Sequence, residues 1–341
     1  MATINDVARL AGVSATTAKR AIRFPEKLAP DTLERVQKAI RELHYEPDKL
    51  ASALRSGQSQ TIGLIVGSIV EPFFAQLTRT IGQEVRAQGY TLITAENEYE
   101  SELERKQLKE FYGNRISGLL IRSAFGKPNT DYLERMQERG IAIVEVDYFS
   151  PHSPFSHVML DNPQCVNDGV DYLAKLGHRR IAALGSYHPT IQPDERVQTF
   201  PLAMQKLGLT IPEAYIGYLS PTQDAAYDFT HYLMNLPEPP TALFAITGNM
   251  AIGTFRALRE LGLKIPQDVS LLSFDNYTWT ELVDPPVDVI EQPNKEMARA
   301  ATELLFEHIR DPNREIQHLR FKGKLIKRGS CAAPSELAPA R

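Results

Sequence analysis

The sequence predicts an α/β protein with two unlike parts. One is an N-terminal three-helix, helix-turn-helix head. The other is a larger core of two doubly wound parallel-sheet subdomains. Three observations carry this. The first sixty residues hold apolar positions at helical spacing around a glycine turn, then a short helix-capable stretch stopped by Gly57. From Thr61 onward, apolar runs of strand length alternate with helix-length segments. Near Arg180 that rhythm restarts, so the core contains two such blocks. At 341 residues the chain has room for two or three domains. The boundaries read as 1–47 for the head, 48–60 for a hinge and linker, 61–331 for the core and 332–341 for a tail. One subdomain takes about 61–160 and 291–321, the other about 162–290 and 322–331. The Pro/Ala-rich tail is expected to fray.

In the head, Ile4, Val7 and Ala8 fall at i, i+3 and i+4 and give the first helix one apolar face. Gly12 supplies a turn, and Ser14 can cap a second helix by accepting an orphan backbone N–H. Two helices joined this way form a helix-turn-helix, whose second helix enters the DNA major groove. That helix starts with small and polar Ala15, Thr16 and Thr17 and continues with Lys19, Arg20 and Arg23. Short residues let the backbone approach base edges, Thr can meet a thymine methyl, and Lys or Arg can take guanine or phosphate oxygens. With Thr3 and Ser14 at the helix starts, these are the candidate DNA-contacting residues. The bland alternative is an ordinary solvated basic helix, and the capped helix before it weighs against that. A third helix starts at Pro30, a good first-turn residue, and runs through Leu33, Val36, Ile40 and Leu43 to close the head. Lys49 to Arg55 is helix-capable but too short to be stable alone.

Charge is distributed to match. The net value is −4, yet residues 1–60 hold ten Lys/Arg against seven Asp/Glu, a surplus of +3. A basic head on an acidic body suits a protein whose head meets phosphate. No apolar run reaches the eighteen residues of a membrane span, and Met-Ala-Thr-Ile-Asn does not open a secretory signal. Cys165 and Cys331 are too few for a disulfide framework or a zinc site, which suits a reducing cytoplasm. No metal and no cofactor are expected. There is no G-x-G-x-x-G after a strand, no G-x-x-x-x-G-K-[ST] and no G-x-S-x-G elbow, so a nucleotide-dependent enzyme or serine hydrolase lacks support.

The core strands read as Ile62–Val66, Tyr90–Thr94, Gly118–Ile121, Ile141–Val146, Arg180–Gly185, Ala242–Ile246 and Val269–Phe274, with a helix from about Phe73 to Gln88. Near-continuous apolar strands are buried on both faces, as parallel sheets require. Ligands of such folds bind at the carboxyl ends of the strands, here in a cleft between subdomains.

At this point the chain closely resembles the LacI/GalR family of bacterial transcription regulators. The opening Thr3-Ile4-Asn5-Asp6-Val7-Ala8-Arg9-Leu10-Ala11-Gly12-Val13-Ser14 matches T-I-x-D-V-A-x-x-A-G-V-S. Glu71-Pro72-Phe73-Phe74, Leu160-Asp161-Asn162, Leu176-Gly177-His178-Arg179-Arg180-Ile181, Ile265-Pro266-Gln267-Asp268-Val269-Ser270 and Ser273-Phe274-Asp275-Asn276 follow in order. The resemblance implies a core like periplasmic sugar-binding proteins and a homodimer, with a tetramer left open. It also implies a double-stranded operator with two-fold symmetry and a small-molecule effector, a sugar or sugar derivative being expected. It places Ala51 and Leu54 on a hinge helix, with Leu54 as the apolar wedge that kinks the minor groove.

Departures from the family pattern matter. The recognition helix reads Thr17-Ala18-Lys19-Arg20 where the family writes T-V-S-R, so Lys19 replaces a serine. The third helix has Ala29 in place of a Ser cap. On the effector side the resemblance points to Ser68, Phe73, Asp147, Gln192, Arg196, Leu219, Thr247 and Asp275. Leu219 stands where an aromatic often stacks on the ligand, and Thr247 where an Asn often bonds it. Arg196 and Asp275 keep their family types and can grip hydroxyls. Phe73 serves equally well as cleft floor or core residue. The leading reading is a ligand-responsive regulator, a repressor. A solute-binding protein without DNA regulation would share the core but not the head.

Overall fold

Thr3 starts the head. Its hydroxyl accepts the Asp6 N–H at 3.4 Å while the Asp6 carboxylate accepts the Thr3 N–H at 2.9 Å, a reciprocal capping box opening α1 (Ile4–Ala11). Gly12 closes that helix at φ +64°, a left-handed conformation that costs a residue without Cβ little. Ser14 then caps α2 (Ala15–Arg23), accepting the Thr17 N–H at 3.1 Å. A 3-10 turn (Pro25–Lys27) leads to α3 (Pro30–Glu42), which has Pro at its first position and no side-chain cap at Ala29. Val7, Ala8, Ala11, Ala18, Ala21, Val36 and Ala39 fill the core of this unit, and their small size lets the helices close on one another.

The computed structural model describes residues 2–46, 59–148, 152–186 and 194–335. The chain divides into two compact units, Met1–Ser59 and Gln60–Arg341. The hinge helix with Ala51 and Leu54, and Gln192 on the effector side, lie outside the described residues.

The second unit begins with β1 (Thr61–Val66), α4 (Pro72–Ala87), β2 (Thr91–Glu96), α5 (Ser101–Gly113), β3 (Gly118–Ile121), α6 (Thr130–Glu138), β4 (Ala142–Val146) and β5 (Ser156–Leu160). It continues with α7 (Asn162–Lys175), β6 (Ile181–Ser186), α8 (Glu195–Lys206), β7 (Ile216–Leu219), α9 (Gln223–Met234), β8 (Ala242–Ala245), α10 (Gly248–Glu260), β9 (Ser270–Phe274), α11 (Trp279–Leu282) and β10 (Asp288–Glu291). It ends with α12 (Asn294–Arg310), β11 (His318–Phe321) and β12 (Lys324–Ile326).

These strands form two six-stranded sheets, β11-β5-β4-β3-β1-β2 and β12-β10-β9-β8-β6-β7. Each pairing is parallel except β10 with β12. The chain crosses from the first sheet to the second after β5, returns after β10 and crosses again after β11. Met297, Ala298, Ala301, Leu304, Leu305 and Phe306 of α12 pack the first sheet's core with Ile62, Leu64, Val66 and Val144, so a late helix completes an early subdomain. In each sheet the strand order reverses once among the leading strands, at β1/β3 and at β6/β8, and such switch points open a crevice at the carboxyl ends.

Two sequence expectations need correction. The tail is not frayed where it is described. The Ala332 carbonyl accepts from the His178 ring at 2.9 Å, the Ala332 N–H meets Ser270 Oγ at 3.1 Å, and Ser335 donates to the Gln267 carbonyl at 2.8 Å. A Pro/Ala composition said nothing of these distant partners. The expected set of strands also lacked β5, β7, β10, β11 and β12. All five lie at or next to a sheet edge, and four of them carry polar residues such as His157, Tyr218, Lys324 and His318, so apolar runs do not mark them. Asp288, a buried carboxylate, opens β10.

His178 carries a pH prediction. Its ring reaches Thr241 Oγ1 at 2.8 Å and Ser270 Oγ at 3.0 Å, and burial lowers its pKa. Burial, then the neighbouring His318 and Arg320, takes His157 down to about 4. Both imidazoles are held neutral in the fold, while in the unfolded chain they gain protons near 6.5. The unfolded state therefore binds more protons between pH 6.5 and about 4, and stability drops as pH falls through that window. Urea midpoints should be flat from pH 8 to 7 and fall below 6.5, less steeply in His157→Gln. An identical pH profile for that variant would contradict the His157 assignment.

Candidate functional site

On the head, the structure exposes Ser14, Thr16, Lys19 and Arg20 of the capped second helix. Thr17 is half-buried and its hydroxyl lies 2.9 Å from Ser14 Oγ, so it supports the cap. Ala15 packs against the head's apolar cluster, and Thr3 is exposed but engaged in its capping box. The surface left for a ligand is therefore polar and basic, with Thr16, Lys19 and Arg20 at its centre.

The core site is built at strand ends. Asp147 follows β4 and Asp275 follows β9, and both adopt φ +68°, a conformation Asp tolerates better than most side chains. Asp275 is 6% exposed. Its carboxylate accepts the Gly248 N–H at 3.1 Å, at the start of α10, and Gln292 Nε2 at 2.6 Å. The Tyr277 hydroxyl bonds it as well, and burial followed by the Asp275 charge raises the Tyr277 pKa. Gly248 is required here, because a Cβ would sit 2.3 Å from the Tyr277 ring.

Arg196 is held on every side. Nε donates to Asn162 Oδ1 at 2.7 Å, Nη1 to the Ile246 carbonyl at 3.0 Å, and the guanidinium lies 4.3 Å from the Phe274 ring centre. Asp194, the cap of α8, accepts the Arg196 N–H at 2.8 Å. Burial works against the charge, but the carboxylates of Asp194, Asp275 and Asp147 outweigh it and the pKa is raised. For Asp147, burial raises the pKa while Arg122 and Arg196 pull it back. Arg196, Asp147 and Asp275 thus share one electrostatic neighbourhood, drawn from both sheets.

The other predicted effector residues are placed differently. Ser68 is half-buried after β1. Thr247 caps α10, its hydroxyl accepting the Met250 N–H at 3.4 Å. Leu219 packs against the apolar cluster under β7. Phe73 is 4% exposed, stands in edge-to-face contact with Phe74 and packs in the core of the first sheet.

Sequence reasoning missed Arg122. It follows β3 directly, is 6% exposed, and its Nε lies 3.7 Å from Asp147 Oδ2. Its guanidinium stands 4.2 Å from the Phe125 ring centre, 4.7 Å from Tyr148 and 4.8 Å from Tyr99. Tyr99 in turn bonds the Glu71 carboxylate, whose pKa burial raises. A Cβ on Gly67 would strike the Tyr99 ring at 2.3 Å, so glycine there makes room for it. The only sequence signal for Arg122 was its position after the strand Gly118–Ile121. Among the described residues, no cluster of three or more metal-ligating side chains is present. No described helix is long and apolar enough to cross a membrane.

Comparison with known proteins agrees with both halves. The family model for bacterial regulatory proteins, lacI family, matches residues 3–48, and the periplasmic binding protein-like domain matches residues 170–331. The HTH-type transcriptional repressor CytR of Escherichia coli (strain K12) is 30% identical over 332 residues, 97% of each chain. The ribose operon repressor of the same strain is 29% identical, covering 97% of this chain and all of its own. Among solved structures, a transcriptional regulator CelR–cellobiose complex superposes with a TM-score of 0.72 at 27% identity, over 97% of this chain and 100% of that one.

Proposed function

The chain belongs to the lacI family of bacterial regulatory proteins, and we propose from this that it is a ligand-responsive transcription regulator reading a quasi-palindromic operator as a homodimer. One observation carries the reading. A single chain holds a capped helix-turn-helix with exposed Thr16, Lys19 and Arg20, and a parallel α/β core in which Arg196, Asp147 and Asp275 gather at strand ends. The first is chemistry for base edges and phosphates. The second is chemistry for the hydroxyls of a small molecule. The full-length relatives are named as repressors, and that supports repression as the direction of control. A carbohydrate or sugar derivative is the favoured effector. The names of two similar proteins, a ribose operon repressor and a cellobiose complex, support it.

Control requires only that the effector prefer one arrangement of the core subdomains, worth ~1–3 kcal/mol of coupling. The experiment is a selection of bound duplexes from a random pool by the full chain. Inverted half-sites are expected, because a two-fold dimer presents two copies of α2. A selected sequence without inverted symmetry would refute the dimeric reading. Lys19→Ser should shift preference at one base pair per half-site by ~1–3 kcal/mol. An unchanged profile would show that Lys19 touches only phosphate.

A further inference from the structure

Arg122 is a buried cation with a defined cage and an unused donor. Phe125, Tyr148 and Tyr99 surround the guanidinium at 4.2, 4.7 and 4.8 Å. Nη1 donates to the Ser123 carbonyl at 2.7 Å. Nε is buried and makes no hydrogen bond, and the nearest carboxylate oxygen, Asp147 Oδ2, stands 3.7 Å away. That separation is too long for a direct hydrogen bond. It is suited to one hydroxyl that accepts from Nε and donates to Oδ2. A buried donor left unpaired is costly, so the site gains when such a group arrives.

The surrounding charge decides what else the ligand can carry. Among the described residues, Arg122 and Arg196 are the guanidiniums of this neighbourhood. Glu71, Glu104, Asp147, Asp194 and Asp275 are the carboxylates that interact with them or with one another. Two cations against five acidic groups leave no surplus positive charge for an anion. Arg122 also fills its aromatic cage, so that volume is closed to a large substituent.

We infer that Arg122 and Asp147 form a hydroxyl-recognising pair, and that the effector is an uncharged polyol and not a phosphorylated or acidic sugar. The inference rests on the cleft being the effector site, and goes beyond that reading by assigning Arg122 and the charge of the ligand.

The test is calorimetric titration of the full chain. The neutral probes are ribose, xylose, glucose, galactose and cellobiose. The anionic probes are ribose 5-phosphate, glucose 6-phosphate and glucuronate. At least one neutral sugar should bind, with its anionic counterpart at least 100-fold weaker. An anionic probe that binds as tightly, or a panel in which no neutral sugar binds, overturns the proposal. Arg122→Lys keeps the charge but removes Nε and the flat face, and should weaken the neutral sugar at least 10-fold. Asp147→Asn, which tolerates the same backbone, removes the anionic acceptor and should give a comparable loss. Thermal melting of both variants checks that they are folded. If both bind within two-fold of the parent while Arg196→Ala abolishes binding, the Arg122 proposal fails and the cleft reading survives. If Arg196→Ala also binds normally, the cleft reading itself has failed.

Discussion

Arg196→Ala is expected to abolish the response of operator binding to ligand while operator affinity without ligand stays within two-fold of the parent. Arg196 is 8% exposed and its charge is matched by Asp194, Asp275 and Asp147. Hydrogen bonds to charged groups contribute ~1.5–3 kcal/mol each, so losing one or two to a ligand weakens it ~10- to 10,000-fold. The variant also leaves Asn162 Oδ1 and the Ile246 carbonyl without the donors they have now. A stability loss of ~1–3 kcal/mol should follow. Fluorescence anisotropy on an operator duplex, with and without ligand, reads the first effect, and urea unfolding reads the second. A variant that responds at the parent's ligand concentrations would place the effector site elsewhere.

The second large effect is at Asp275. Alanine there should cost ~3–5 kcal/mol of stability, because three penalties combine. The Gly248 N–H and Gln292 Nε2 lose their acceptor. The Tyr277 hydroxyl loses its partner. A left-handed backbone at φ +68° then holds a residue that resists it. Asparagine tolerates that backbone and keeps one acceptor oxygen, but sets an amide N–H against a donor. Asp275→Asn should therefore fold with a loss of ~1–2 kcal/mol yet bind ligand at least 10-fold more weakly. Equal stability of the alanine and asparagine variants would show that the strand-end geometry does not matter.

Much of this protein was legible in sequence because much of it is local. The capping box at Thr3 and Asp6, the turn at Gly12 and the cap at Ser14 are set by residues three apart, and the structure forms each of them. The central strands are apolar on both faces, so Leu64, Leu120, Leu243 and Leu271 announce themselves by burial alone. What stayed hidden depends on partners distant in the chain. His178 meets Thr241, Ser270 and Ala332, and no local pattern encodes that. Phe73 could line a cleft or fill a core, and its place beside Phe74 and Leu77 comes from packing that its spacing does not encode. Arg122 is one cation in an unremarked position until Tyr99, Phe125 and Tyr148 close around it. Leu219 lies at the end of an edge strand, where a sequence match fixes position but not the direction of a side chain.

Linkage between the two activities is the central claim, and reciprocity tests it most directly. Operator affinity of the full chain is measured by anisotropy across a range of ligand concentrations. Ligand affinity is then measured by calorimetry with and without saturating operator. If one protein couples both sites, the two factors must be equal, and a value of ~5–150 is expected. Operator affinity that stays constant while ligand saturates the core would contradict the account.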